Sequence, residues 1–156
     1  MIEDYDNLII TRTFSKTAGL DGLRIGYVAA RPALAKLLYK FRPMYEVNSI
    51  AVLFADELLN RWEVVDEYIK ATLEGKKYLI SELNKLSFKT IDTFANFIHA
   101  DFGMRKAEIL EGFLRDKILV RFSLSVKGFQ SYTRISVGNK EEMQKAVESI
   151  RKSVSL

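Results

Sequence analysis

Thr11-Arg12-Thr13-Phe14-Ser15-Lys16-Thr17-Ala18-Gly19-Leu20-Asp21-Gly22-Leu23-Arg24-Ile25-Gly26-Tyr27 is the stretch on which the reading of this chain turns. It begins inside Asn7-Leu8-Ile9-Ile10-Thr11-Arg12-Thr13, a β-branched and apolar run that reads as a strand. That strand delivers Lys16 into a loop with a hydroxyl residue on either side. Glycines follow, and Arg24 enters a second strand eight residues after the lysine. Hydroxyls and a planar guanidinium suit a phosphate group, the guanidinium through paired charge-assisted hydrogen bonds. Glycines let backbone approach a ligand closely. A lysine beside such a site can act as a nucleophilic amine toward a carbonyl. On spacing alone, a surface turn with an incidental lysine accounts for the stretch as well. A nucleotide P-loop does not, because Gly19 follows Lys16 rather than preceding it.

The rest of the chain sets the frame. Its 156 residues suit about one domain, and 48% hydrophobic with 28% charged is an ordinary globular composition. With no cysteine there is no disulfide scaffold, thiolate metal site or cysteine nucleophile. No metal site is expected. The net charge of +4 comes without a basic block interleaved with aromatics, so no nucleic-acid partner is expected. No apolar run reaches membrane-spanning length and the first six residues do not read as a secretion signal, so the expectation is a cytoplasmic protein without a membrane partner.

Punctuation divides the chain. Both prolines, and Gly19, Gly22 and Gly26, lie in the first third, which reads as turns and short strands. Residues 23–30 form the second strand and residues 33–42 a short helix ended by Pro43. Asn48-Ser49 offers a cap to a long stripe of Ile50, Phe54, Leu58, Trp62, Val65, Ile69 and Leu73. Its steps of three and four predict one helix continuing toward Leu86, with Gly75 as a weak point. Residues 88–92, 95–102, 118–122 and 132–137 read as strands, and residues 106–115 and 140–154 as helices. The whole is an α/β chain: a strand–loop–strand unit, a long helix, and a small α/β unit. His99, the single histidine, reads as a strand residue, and Lys76 and Lys152 as ordinary exposed lysines.

The lysine stretch closely resembles the pyridoxal-phosphate lysine segment of class I/II fold-type I aminotransferases, above all the histidinol-phosphate aminotransferase branch. There the pattern Ser-Lys-x-x-Gly-Leu-x-Gly-Leu-Arg-x-Gly-Tyr recurs. Ser15, Lys16, Gly19, Leu20, Gly22, Leu23, Arg24, Gly26 and Tyr27 meet every defined position. The resemblance implies that Lys16 is catalytic and carries pyridoxal 5'-phosphate, and that Thr13, Ser15 and Arg24 bind its phosphate. Phe94-Ala95-Asn96-Phe97-Ile98 resembles the family's Ala-Asn-Phe strand, and Ile118-Leu119-Val120-Arg121 its Val-Arg strand. Tyr132-Thr133-Arg134-Ile135-Ser136-Val137-Gly138-Asn139-Lys140-Glu141-Glu142 resembles its Leu-Arg-Ile-Thr-x-Gly-Thr block, with Thr133 for the usual leucine and Asn139 for the threonine. By this resemblance Arg134 holds an acidic group of the substrate and Arg121 helps hold a substrate phosphate. Taken singly, each arginine reads as a strand-edge ion pair.

The implied fold is the carboxy-terminal part of a fold-type I aminotransferase. Residues 1–48 end the cofactor-binding large domain, residues 49–86 form the interdomain helix, and residues 87–156 the small domain. The implied reaction takes an amino acid or amino-phosphate, such as histidinol phosphate, with a 2-oxoacid partner. A homodimer or larger assembly is implied as well. The alternatives are a threonine-phosphate decarboxylase-like enzyme, or a truncated, non-catalytic chain with only folding or partner-binding capacity. Family members run to about twice this length, and their ring-pairing aspartate, stacking aromatic and glycine-rich turn precede the lysine by tens of residues. Only fifteen residues precede Lys16, so the isolated chain is expected to be inactive. Val64-Val65-Asp66-Glu67-Tyr68 imitates the aspartate strand but falls inside the helical stripe.

Overall fold

Strands β1 (Ile9–Thr13) and β2 (Gly26–Ala30) pair as an antiparallel ribbon, with Thr13 opposite Gly26 and Ile9 opposite Ala30. The computed structural model describes residues 1–155, which fall into two units divided within a helix between Asp66 and Glu67. In the first unit the ribbon leads into α1 (Pro32–Lys40), which starts with Pro32, a residue pre-set for a first helical turn. Then comes α2 (Ser49–Asn60), whose first turn is capped by Asn48: its Oδ1 accepts from the Ala51 N–H at 2.8 Å. The second expected strand is shorter than its apolar run, because Asp21–Leu23 form a turn of 3₁₀ helix and Arg24 adopts a left-handed conformation.

The long apolar stripe is two helices rather than one. Helix α2 stops at Asn60 and α3 (Trp62–Lys85) begins at once. Between them Arg61 leaves helical geometry (φ −128°, ψ 46°), its N–H turning back to the Leu58 carbonyl and its guanidinium pairing with Glu57 at 2.7 Å. A period of three and four persists through this break, so the pattern alone does not reveal it. Helix α3 instead runs straight through Gly75, the expected weak point. A Cβ there would collide with the backbone of Gly138 and Asn139, so glycine permits a close approach between helix and turn. The decoy Asp66 and Glu67 lie on this helix, not on a strand.

The second unit is a three-stranded antiparallel sheet with helices on its apolar face. β3 (Lys89–Ile91), β4 (Phe97–Asp101) and β5 (Tyr132–Ser136) lie in that order. Alternation along β4 and β5 buries Ile98, Ala100, Thr133 and Ile135 and turns Phe97, His99 and Arg134 the other way. Helices α4 (Lys106–Arg115) and α5 (Lys140–Val154) match their expected bounds. With α3 they supply Leu79, Leu83, Ile109, Phe113, Val147 and Ile150 to the core. Each of these is buried, worth about 1.5–3 kcal/mol per side chain of that size. Helix α5 starts with a capping box, in which Asn139 Oδ1 accepts from the Glu142 N–H and Glu142 Oε2 accepts from the Asn139 N–H.

Two ionic ties complete this unit. Glu82, buried on α3, pairs with Lys85 at 2.6 Å and with Arg151 of α5. Lys76 is not an exposed lysine. It is buried, and its ammonium reaches Asp92 Oδ1 at 2.6 Å, the Thr93 carbonyl, and the Ala95 carbonyl at 3.2 Å. One lysine thus ties α3 to the turn between β3 and β4.

Candidate active site

The lysine loop is shaped from its base. Phe14 is the buried residue of the loop, and its N–H donates to the Ile25 carbonyl at 3.2 Å, extending the ribbon by one step. The Leu20 N–H donates to the Phe14 carbonyl at 2.9 Å, closing the loop on its own stem. Ser15 and Arg24 therefore leave the ribbon side by side, at the mouth of one loop. The Ser15 N–H donates to Thr13 Oγ1 at 3.0 Å, which fixes the Thr13 hydroxyl next to Ser15 and Lys16 while leaving its own proton free to donate. Gly26 is required behind this cluster, because a Cβ there would lie 2.5 Å from the Arg12 carbonyl oxygen. Arg24 holds φ 52° and ψ 42°, an unusual conformation for a residue with a side chain, and its Nη1 donates to the Asp21 carbonyl at 3.4 Å.

Electrostatically the loop is uncompensated. Neither Lys16 nor Arg24 has a carboxylate within 4 Å among the described residues. Thr13, Lys16 and Arg24 are exposed and Ser15 is half-buried. Two hydroxyls, a guanidinium and an ammonium on one loop, with no carboxylate within 4 Å of either cation among the described residues, are a donor set for a phosphate ester that also bears a carbonyl. The residues present fit pyridoxal 5'-phosphate.

The second cluster lies in the other unit. The segment expected as a strand over residues 118–122 makes only one bridge, in which Arg121 and Arg134 exchange both backbone hydrogen bonds at 3.2 Å. Arg134 in turn faces His99 of β4, and His99 faces Ile91 of β3. The two arginines implied as substrate ligands are thus neighbours on one sheet face. Among the described residues neither forms the strand-edge ion pair that each suggests singly. The Arg134 guanidinium lies over the Phe97 ring, 5.1 Å from its centroid, and its Nε is buried without a hydrogen-bond partner among the described residues. Burial first, and then the Arg134 cation, hold the His99 imidazole below its ordinary range. Sequence reasoning missed this rung, since nothing in the spacing of Arg121 and Arg134 announces an antiparallel pair.

Comparison with known proteins decides the family. The model of aminotransferase class I and II matches residues 1–150. This chain belongs to that family. Among its relatives, the histidinol-phosphate aminotransferase of Symbiobacterium thermophilum is 35% identical over 151 residues, which is 97% of this chain and 42% of the relative. The chain therefore spans about two-fifths of the length of such relatives. A solved structure of histidinol-phosphate aminotransferase from Sinorhizobium meliloti, in complex with pyridoxal-5'-phosphate, superposes with a TM-score of 0.82 at 25% identity, covering 99% of this chain and 44% of that one. The L-threonine-O-3-phosphate decarboxylase of Porphyromonas gingivalis shares the fold, with a TM-score of 0.77 at 23% identity over 99% of this chain and 49% of its own. The fold is that of the fold-type I aminotransferases, in part, and the family's cofactor is pyridoxal phosphate.

Proposed function

We infer that this chain is the carboxy-terminal portion of a pyridoxal-phosphate-dependent aminotransferase that moves an amino group between an amino-phosphate such as histidinol phosphate and a 2-oxoacid. The observation that carries this is the lysine loop, where Thr13, Ser15, Lys16 and Arg24 lie on one ribbon and neither cation has a carboxylate within 4 Å among the described residues. The cofactor, when bound, supplies an electron sink for the charge left when the substrate loses its α-proton. The Thr13 and Ser15 hydroxyls and the Arg24 guanidinium hold its phosphate. The Lys16 amine would hold its carbonyl carbon and, as a free amine, would take the proton from the substrate α-carbon as a general base. Arg134 holds the acidic group of the substrate, which in histidinol phosphate is the phosphate, and Arg121 helps hold that phosphate, both from the rung they share. In this reading, residues 1–48 end the large domain, residues 49–86 connect the domains, and residues 87–156 form the small domain.

The assembly we propose is a homodimer or larger, in a cytoplasmic setting. Residues 37–54 support association, with Tyr39, Phe41, Met44, Tyr45, Ile50 and Leu53 all exposed on one short stretch of chain. The test of function is to offer the protein bearing this chain histidinol phosphate or L-threonine O-3-phosphate, with 2-oxoglutarate and pyridoxal 5'-phosphate. Glutamate formation from histidinol phosphate, abolished in Lys16→Ala, is expected. Release of carbon dioxide from the threonine ester without glutamate would replace the aminotransferase reading with the decarboxylase one.

A further inference from the structure

One rung of the second unit's sheet runs Ile91, His99, Arg134, Arg121, each opposite the next. Neighbours on such a rung stand about 4.5–5.5 Å apart at Cα and share a face. Two guanidinium groups and an imidazole are therefore lined up, and like charges placed directly opposite destabilise a sheet. Neither arginine has a carboxylate within 4 Å among the described residues. A ring links the row from beside it: Phe97 contacts His99 edge-on, with centroids 5.3 Å apart, and carries the Arg134 guanidinium over its face. The charged and titratable groups facing His99 are Arg134 from β5, with Arg121 beyond it and Tyr132 beside it, Lys89 from β3, and Asp101 from β4 itself. The Asp101 carboxylate is engaged, since its Oδ1 accepts from the Gly103 N–H at 3.0 Å.

We propose that His99 is the third member of the anion site formed by Arg121 and Arg134, contributing its imidazolium when a doubly charged anion is held there. The inference rests on the reading of the two arginines as substrate ligands and extends it. Without an anion, the row favours a neutral imidazole, because a third cation would stand beside an uncompensated guanidinium. A dianion over the rung reverses that preference, and by linkage proton uptake at His99 tightens the anion. A singly charged carboxylate gains less from the third cation, so the rung discriminates in favour of phosphate-bearing substrates. The chemistry recognised is a tetrahedral dianion.

Sulfate is the probe, because its charge is constant across the range in which histidine titrates. His99 is the single histidine, so its ring signals in proton NMR of the 156-residue chain are unambiguous. At fixed ionic strength, sulfate should raise the His99 titration midpoint, and sulfate affinity should rise about threefold to tenfold between roughly pH 8 and roughly pH 5.5. Arg134→Gln should abolish both effects. His99→Gln and His99→Asn, each checked for folding by circular dichroism, should flatten the pH profile. Arg134-dependent binding with equal affinity at both pH values would remove His99 from the site while leaving the reading of the arginines intact. Absence of Arg134-dependent sulfate binding would overturn that reading, and this proposal with it.

Discussion

Arg121 and Arg134 exchange both of their backbone hydrogen bonds, each at 3.2 Å, and so present two guanidinium groups from one face of the same rung. A sheet gains nothing from that arrangement, because opposed like charges cost roughly 0.2–1 kcal/mol. Arg121→Gln is therefore expected to stabilise the chain by a few tenths of a kcal/mol to about 1 kcal/mol while weakening its hold on sulfate. Urea unfolding read against sulfate binding checks both signs. A loss of stability would show that Arg121 serves the fold.

Thr133 is fully buried on β5 with its Oγ1 lacking a hydrogen-bond partner among the described residues. A buried hydroxyl left unpaired costs about 1–3 kcal/mol. Thr133→Val keeps the shape and removes the polar atom, so a gain of roughly 1 kcal/mol is expected in chemical denaturation.

Gly75 sets two effects against each other. In an open helix, Gly→Ala gains about 1 kcal/mol from propensity. Here the added Cβ would collide with the Gly138 and Asn139 backbone, which cannot swing away as a side chain would. Overpacking of this kind costs about 1–3 kcal/mol, so Gly75→Ala should lower stability on balance. A thermal melt of the variant decides which term is larger.

Acid should lower the stability of the chain in two steps. The folded structure holds His99 below its ordinary value of 6.5, by burial and then Arg134. It also holds Glu82 and Asp92 below theirs, through Lys85 and Lys76 respectively. A lowered value means that the unfolded chain binds more protons, so stability falls as pH falls. The His99 contribution is intact above about pH 6.5 and begins to erode below it, whereas the carboxylates keep theirs until about pH 4. Urea midpoints followed across this range should show a first decline that His99→Gln removes and a second, at lower pH, that persists. At the alkaline end Lys152, held above its ordinary value by Glu148, contributes stability that is lost only as pH rises through that raised value.

Local signals were legible wherever one physical cause dominated. Helices α4 and α5 begin and end where apolar period, acidic first turn and basic last turn agree. The lysine loop was legible as strand, loop and strand from its β-branched run and its glycines, whereas spacing alone left its role open between a phosphate site and a surface turn. The break at Arg61 was not, since the apolar stripe keeps its phase across it. Gly75 misled for a related reason: its cause is a turn that approaches from residues 138–139, far along the chain. Lys76 looked exposed because a sequence does not show which carbonyls will converge on an ammonium. The Arg121–Arg134 rung is long-range pairing, and the sequence held both residues without their partnership.

In the proposed site Thr13, Ser15 and Arg24 direct a phosphate-bearing carbonyl compound to Lys16. The most direct measurement is to mix the chain with pyridoxal 5'-phosphate, reduce with borohydride, and map the modified lysines by peptide mass. Label is expected to concentrate at Lys16 over the exposed Lys152 and to be lost from Lys16 in Arg24→Gln. Label at Lys16 no greater than at Lys152, unchanged in Arg24→Gln, would contradict the proposed site.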